Sequence, residues 1–300
     1  MSLKNKVLFI VGPTATGKSA LAIDLAKTFN GELISADSRQ VYRGMDIGTG
    51  KLYSSEIAIH GYDLVSPDES FSVSHFHSFA TKKIAEIIQN QKLPIVVGGT
   101  GFYVRSLLHP IETASIPQNE ALRKVLSVLS VNDLLVRLMR SNKKKALALN
   151  ESDRKNPARL IRAIEISEFG SVPQSDSIGY DPLVIGLSAP KEVLESRIYA
   201  AVLRRISDGF EEEVQSLLSQ KNDFSSQAFT ATGYKEMRAF IQKEITKEEL
   251  IRQWTLSEMQ YVKRQLTWFK KESLVQWVDI TDPLCKTKVA ETVERWHNNA

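Results

Sequence analysis

The chain has 300 residues, of which 42% are apolar and 25% are charged, and its net charge is +4. These values are ordinary for a soluble globular protein with one substantial core and a smaller appended unit, and the net charge is too small to establish a nucleic-acid partner. The single cysteine, Cys285, excludes an internal disulfide and a cysteine-based zinc site, so we expect a cytoplasmic protein. No apolar run approaches the roughly 20 residues of a membrane span, and the first such run, Val7 to Val11, is predicted to be a strand and not a signal peptide.

In chain order, five short apolar runs rich in β-branched residues predict strands that are buried on both faces: KVLFIVG, GELISAD, LPIVVGG, LVIGLSA and LVQWVDI. Segments with helical periodicity separate them. The first, SALAIDLAKTF, places Leu21, Leu25 and Phe29 on one helix face. We therefore predict an α/β fold with a parallel sheet flanked by helices, of the type found in P-loop NTPases.

The strand-like runs stop between Thr113 and Val172, where NEALRKVLSVLSVNDLLVRLMRSNKKKALALN is helical in pattern and lacks glycine. We predict a core formed by 1–112 and 173–300, interrupted by a small helical insertion at 113–172. The segment from Lys191 to Lys271 is also mostly helical in pattern.

The stretch GPTATGKS fits the phosphate-loop pattern G-x-x-x-x-G-K-[ST] and lies between a predicted strand and a predicted helix. Such a loop points backbone N–H groups at phosphate oxygens, and the following helix adds its positive end. The lysine supplies a mobile positive charge, and the serine hydroxyl can ligate Mg²⁺. The predicted phosphate-binding residues are Gly12, Pro13, Thr14, Ala15, Thr16, Gly17, Lys18 and Ser19, with Ser19 as the metal ligand.

The carboxylates near this loop are unusual for an ATP-hydrolysing site, which commonly has an aspartate at the end of a second strand. Here PIVVGG continues into GGTGFY without a carboxylate, and the acidic residue at a strand end is Asp37. Asp37 could help to hold a metal through its charge, could act as a general base, or could be a solvated turn residue.

Six motifs resemble, in the same order, those of tRNA dimethylallyltransferases: GPTATGKS, ISADSRQVYRGMDIGTGK, IVVGGTGFYVRSLL, ARLIRAIEI, GYKE and KRQLTWFK. The resemblance extends from Val7 to about Lys271, and its second motif is far more specific than the phosphate loop. It implies that dimethylallyl diphosphate donates its prenyl group to the N6 amine of the adenosine 3′ to the anticodon, in tRNAs that read codons beginning with uridine. Mg²⁺ would assist, and diphosphate would leave.

The resemblance also implies roles for particular residues. Asp37 would accept a proton from the amine and Thr100 would orient the reacting groups. The anticodon stem-loop of tRNA would contact Asp37, Ser38, Arg39, Gln40, Lys263, Arg264 and Gln265. Arg159 and Arg162 would bind diphosphate or the tRNA backbone, and the insertion would bind tRNA. We expect a monomer that binds no membrane.

Simpler interpretations exist for several of these residues. Arg39 and Gln40 could be ordinary polar turn residues, the basic run VRLMRSNKKK could be a solvated helix face, and Trp268 and Phe269 could belong to the core. Tyr234 could pack or contact RNA.

Some positions depart from the family pattern. Ala158 stands where the family commonly has glutamine, Ala201 stands where it usually has a basic residue, and Arg205 lies near its usual methionine. His60-Gly61 replaces a pair of histidines. We expect these changes to lower the affinity for tRNA.

Three rival functions use the same loop: prenyl transfer to free adenine nucleotides, a small-molecule P-loop kinase, and a non-catalytic RNA-binding protein. The stretch DSRQVYRGMDIGTGK has no evident use in a kinase, and KRQLTWFK favours tRNA over a free nucleotide.

Overall fold

The computed structural model describes residues 6–109, 116, 119–169, 179–220 and 223–299. Contacts divide the chain into two compact units, one formed by Met1–Leu108 with Ile178–Ala300 and the other by His109–Ser177. The insertion predicted at 113–172 lies inside the bounds of the second unit.

Across the described residues, one six-stranded sheet is formed by β1 (Lys6–Val11), β2 (Gly31–Ser35), β3 (Ile59–His60), β4 (Leu93–Gly98), β5 (Asp181–Ser188) and β6 (Val275–Asp279). Its order is β3-β2-β4-β1-β5-β6, and all neighbouring strands are parallel. β1 and β4 are buried at every position because helices cover both faces of the sheet. The predicted α/β fold is confirmed, and the short β3 is a strand that the sequence pattern did not reveal.

The helices of the described chain are α1 (Lys18–Thr28), α2 (Val73–Gln89), α3 (Gly101–Leu108), α4 (Glu120–Leu126), α5 (Val131–Ser141), α6 (Lys143–Ala148), α7 (Glu151–Arg154), α8 (Pro157–Phe169), α9 (Lys191–Ser207), α10 (Phe210–Ser219), α11 (Tyr234–Ile241), α12 (Lys247–Phe269) and α13 (Cys285–Asn298). A 3₁₀ turn covers Ala228–Thr230. None of these helices has the length and apolar character that crossing a membrane requires.

Alternate side chains of β1 enter two different cores, as expected for a strand buried on both faces. Phe9 packs in a cluster with Phe76 of α2 and with residues of α9 to α12. Leu8 packs on the opposite face with Leu25 of α1 and Val289 of α13. The first unit is therefore a three-layer structure with the sheet in the middle.

Because the strands are parallel, their carboxyl ends meet at one edge of the sheet. β1 ends at the phosphate loop, β2 ends just before Asp37, and β4 ends just before Thr100. The long helix α12 contributes Glu258, Tyr261 and Gln265 to the cavity at this edge. These three residues are three and four positions apart and so share one helix face.

The second unit consists of α4 to α8 around a small apolar core that includes Leu134, Leu138 and Leu160. Glu165 of α8 is 3% exposed and accepts hydrogen bonds from two arginines. Arg123 Nε lies 2.6 Å and Arg162 Nη1 3.2 Å from its carboxylate. Burial opposes ionisation of Glu165, but these hydrogen bonds outweigh burial and hold its pKa below the usual value.

Replacing Glu165 with alanine is expected to destabilise the second unit by about 2 kcal/mol, because two partly hydrated arginines each lose their hydrogen bond to this carboxylate. The folded-state pKa of Glu165 is below the value of 4.5 for the free group. Its contribution should therefore be complete above about pH 4.5 and should disappear as the pH falls through the folded-state pKa. Urea unfolding at several pH values tests this. Glu168→Ala, which removes the half-exposed partner of Arg137, is the matched control and should have little effect.

Candidate active site

The phosphate loop joins β1 to α1 and has a defined backbone shape. Gly17 has a φ of +85°, a left-handed conformation that favours glycine, and α1 begins at the next residue. The loop is tightened by Thr16, whose Oγ1 donates to Pro13 O at 2.9 Å. Lys18 Nζ donates to the same carbonyl oxygen at 2.6 Å. The backbone is therefore arranged as an anion cradle at a helix N-terminus.

Lys18 is the main cation of this cradle. Burial lowers the pKa of Lys18 to about 8, against the opposing influence of the Asp37 and Glu258 carboxylates. An anion placed beside the amine would favour its charged form. The charge of the loop therefore suits the binding of a phosphate group.

Asp37 and Thr100 lie side by side where β2 and β4 end. Thr100 N donates to Ala36 O at 3.2 Å, and Thr100 Oγ1 accepts the Ser38 N–H at 3.0 Å. Asp37 Oδ1 accepts the Arg39 N–H at 2.8 Å. Among the described residues, no group donates a hydrogen bond to the other carboxylate oxygen, Oδ2, so this oxygen is available to accept a proton.

Tyr261 of α12 lines the same cavity as Asp37 and lies close enough for its phenol to interact with the Asp37 charge. Burial, with a smaller contribution from the Asp37 charge, raises the pKa of Tyr261, so that the phenol stays protonated. A fixed carboxylate next to neutral hydroxyl groups is an arrangement suited to general base catalysis.

Gln40 holds the cavity wall in place. It is 9% exposed, and its Oε1 accepts a hydrogen bond from Ser35 Oγ at 2.7 Å. Its Nε2 donates to Thr49 O at 3.1 Å and to Gly50 O at 3.3 Å. Arg39 Nη1 donates to Gln227 O at 2.7 Å. Both polar side chains therefore have structural partners, and their predicted contact with tRNA stays a prediction.

Gln265 is 4% exposed and connects two parts of the site. Its Oε1 accepts the Thr14 N–H at 2.9 Å, and its Nε2 donates to Gly99 O at 3.1 Å. A side-chain carbon at Gly99 would lie only 2.0 Å from Nε2, so this contact requires glycine. Gln265 thus fixes the phosphate loop to the end of β4, whereas its neighbours Lys263 and Arg264 are exposed. The predicted tRNA contacts of all three stay predictions.

Replacing Gln265 with alanine is expected to raise the KM for a diphosphate-bearing substrate about tenfold, because the Thr14 amide and the Gly99 carbonyl lose a buried partner. The turnover number should change less. Steady-state kinetics on Gln265→Ala measure this split. Gln253→Ala removes a glutamine of the same helix that pairs with Glu249, and it should leave KM unchanged.

Two predicted residues, Arg159 and Arg162, lie in the second unit and pair there with acidic side chains. Arg159 bonds with Asp153, and Arg162 bonds with Glu165 and donates to Ile116 O at 2.8 Å. Their predicted binding of diphosphate or tRNA stays a prediction.

Tyr234 and Phe269 prove to be core residues, at 0% and 2% exposure. Trp268 is 37% exposed and lies against Phe102, with the ring centroids 6.1 Å apart. Packing is therefore the structural role of Tyr234 and Phe269, while Trp268 keeps an exposed edge.

The sequence did not indicate how the segment after Asp37 is anchored. Glu213 of α10 accepts the backbone N–H groups of Asp46, Ile47 and Gly48 at 2.8, 2.6 and 3.1 Å. Lys51, whose side chain is fully buried, bonds to Asp46 at 2.6 Å and to Asp63 at 2.7 Å. An acidic residue 165 or more positions away carries no local signal of this role.

One cavity of about 700 Å³ in the first unit is lined by Lys18, Asp37, Gln40, Tyr261 and Gln265. Its wall includes the phosphate loop, Asp37 and the segment from Asp46 to Tyr53. The phosphate loop and the available carboxylate of Asp37 thus share one cavity. The chain is therefore a P-loop α/β protein whose site has the features of a group-transfer enzyme.

The comparisons with known proteins agree. The family described as IPP transferase matches residues 40–272, and the one described as isopentenyl transferase matches 5–60. The tRNA dimethylallyltransferase of Anoxybacillus flavithermus is 38% identical over 92% of this chain and 91% of its own length. That of Pediococcus pentosaceus is 40% identical over 97% and 96% of the two chains. This chain belongs to the tRNA dimethylallyltransferase family, which confirms the resemblance seen in the motifs.

Solved structures of similar proteins share the fold. The full-length tRNA isopentenylpyrophosphate transferase of Bacillus halodurans matches with a TM-score of 0.73 and 35% identity, covering 98% of this chain and 97% of its own. A eukaryotic dimethylallyltransferase acting on tRNA matches with a TM-score of 0.81 and 25% identity, covering 99% and 76%.

Proposed function

We propose that this chain transfers a dimethylallyl group from dimethylallyl diphosphate to the N6 amine of the adenosine 3′ to the anticodon, in tRNAs that read codons beginning with uridine. The observation that carries the proposal is the shared cavity, in which the phosphate loop and Asp37 face a common space. The names of the relatives support the tRNA acceptor and the prenyl group.

The phosphate loop would bind the diphosphate of the donor. Lys18 and the loop amides would neutralise the charge that develops as the bond between the allylic carbon and the diphosphate oxygen breaks. Such a reaction needs no water aimed at a γ-phosphate. This explains why the end of β4 carries Thr100 and no metal-binding aspartate.

Asp37 would act on the acceptor. The lone pair of the N6 amine forms the new N–C bond, diphosphate leaves with the electrons of the broken C–O bond, and one N6 proton passes to Asp37 Oδ2. Thr100 and Tyr261 would hold the reacting groups in line. The base must leave its stack to reach the cavity, which costs least in a single-stranded loop.

The protein groups at the phosphate loop fit Mg²⁺. No cluster of three or more His, Cys, Asp and Glu side chains that could hold a metal occurs in the part of the chain that the structure describes. Mg²⁺ commonly uses few protein ligands and completes its shell with water and substrate phosphates, so the Ser19 hydroxyl on the cavity wall suits it. When bound, the ion would add positive charge to the departing diphosphate.

The remaining parts of the proposal concern the partner and the setting. Arg264 lines the cavity and Lys263 is its exposed neighbour on α12, and both would pair with the phosphates of the anticodon stem-loop. Arg159 and Arg162 would add contacts to tRNA or diphosphate. We propose a cytoplasmic monomer.

Transfer of labelled dimethylallyl tests the proposal. The full chain is incubated with labelled dimethylallyl diphosphate, Mg²⁺ and unmodified tRNA carrying adenosine 3′ to the anticodon, with AMP and ATP as rival acceptors. Label only in that tRNA adenosine supports the proposal. Label in AMP or ATP would move the chain to the free-nucleotide enzymes, and no transfer at all would overturn the proposal.

A further inference from the structure

Arg205 on α9 is a cation of the cavity wall that the reaction described above does not use. Its side chain is 17% exposed, and its Nη1 donates to Glu258 Oε1 at 3.0 Å. Glu258 is itself 4% exposed and also accepts a hydrogen bond from Thr232 Oγ1 at 2.8 Å. All three residues line the cavity.

The guanidinium of Arg205 is held on two sides. Its central carbon lies 5.9 Å from the centroid of the Trp254 ring. A side-chain carbon at Gly50 would lie 2.8 Å from Nη2, so the group also covers the Gly50 backbone. These protein contacts hold Arg205 in one position, and a held side chain lowers the entropic cost of binding.

An arginine carries five N–H donors, and only the bond to Glu258 satisfies one of them among the described residues. Largely buried donors need acceptors, and here the open space beside them is the reaction cavity. The planar fork of an arginine matches the oxygens of a phosphate.

The charges of the cavity favour the same ligand. Glu258 is close enough to Lys18 for their charges to interact, so it would repel an anion at the phosphate loop if it had no cation of its own. Ala201, one turn earlier on the same side of α9, also lines the cavity and carries no charge.

We propose that Arg205 binds a phosphate oxygen in the reaction cavity and that Glu258 positions it. This inference rests on the proposed function. Two sources share the required chemistry, namely the diphosphate of the prenyl donor and the tRNA phosphate beside the extruded adenosine. The experiment separates them.

Two variants of the full chain, Glu258→Gln and the double variant Arg205→Met/Glu258→Gln, avoid leaving a buried carboxylate without a partner. Calorimetry measures the affinity for inorganic diphosphate with Mg²⁺, and kinetics measure the KM for tRNA. Glu258→Gln should bind phosphate at least as well as the parent, because a competing anion is gone. The double variant should be about tenfold or more weaker in one of the two measurements, as expected for a lost charge-assisted hydrogen bond.

Loss of diphosphate affinity assigns Arg205 to the donor, and a raised KM for tRNA alone assigns it to the acceptor. Equal values for the double variant and Glu258→Gln in both measurements would overturn the inference, even if the melting temperature fell. Arg238→Met, which removes an arginine lying over Phe224 outside the cavity, is the matched control and should change neither value. If the parent chain transfers the prenyl group and the loss of Arg205 changes neither measurement, this inference fails and the proposed function stands. If the parent chain transfers no prenyl group, the proposed function itself fails.

Discussion

Replacing Asp37 with asparagine should reduce the rate of prenyl transfer by about 10²- to 10⁴-fold, the range typical for loss of a general base. Asparagine keeps an oxygen for the Arg39 N–H, which lies 2.8 Å from Asp37 Oδ1, but cannot accept a proton from the amine. The affinity for diphosphate should stay the same or rise, because a negative charge near Lys18 is removed. Single-turnover rates and calorimetry with diphosphate and Mg²⁺ measure the two effects separately.

Asp24→Asn is the matched control for this variant, since Asp24 is an exposed residue of α1 that pairs only with Lys286 among the described residues. It should transfer at the parental rate. A transfer rate for Asp37→Asn equal to that of the parent would remove Asp37 from the proton transfer. A loss of both rate and diphosphate affinity would instead make it a residue that shapes the phosphate loop.

The parts of the fold that could be predicted from the sequence are those with a local signal. KVLFIVG predicts a strand because β1 is buried on both faces and so is apolar throughout. GPTATGKS predicts a phosphate loop because its glycines and its lysine occur at the spacing that this loop requires. The two-residue strand β3 has no such signal. It exists because Ile59 and His60 pair with Leu33 and Ile34, and only the tertiary structure brings these residues together.

The parts of the site that could not be predicted depend on contacts between distant residues. Gln265 belongs to a stretch that the family resemblance assigned to RNA, yet it bonds to Thr14, 251 positions away. Nothing in KRQLTWFK distinguishes a buried glutamine from a surface one, because exposure is decided by where α12 crosses the sheet edge. The Arg205–Glu258 pair spans 53 positions, and neither residue has a charged pattern around it that would reveal the other.

Replacing Glu213, whose anchoring role the sequence did not indicate, with alanine should lower the free energy of unfolding by about 3 kcal/mol. The reason is that three backbone N–H groups, from Asp46 to Gly48, and the buried Tyr234 hydroxyl lose one shared acceptor. Burial, reinforced by the Glu213 carboxylate, raises the pKa of Tyr234, so its hydroxyl remains a donor throughout the ordinary pH range. Urea unfolding measures the loss.

The same variant should reduce kcat/KM for tRNA about 10²-fold, because the released segment forms the cavity wall from Asp46 to Tyr53. Binding of diphosphate should be affected far less, since the phosphate loop is held separately by Gln265. Glu212→Ala, one residue away and exposed, is the matched control and should retain both stability and activity.

Tyr234→Phe separates packing from anchoring, because it removes one of the four donors and keeps the ring against Phe210. If Glu213 acts by fixing the cavity wall, Tyr234→Phe should keep most of the activity that Glu213→Ala loses, since the three backbone bonds remain. Equal losses of kcat/KM in these two variants would show that the phenol bond, and not the backbone anchoring, sets the acceptor side of the cavity. A Glu213→Ala protein that is destabilised but fully active would show that substrate binding is sufficient to order the segment from Asp46 to Tyr53 without Glu213.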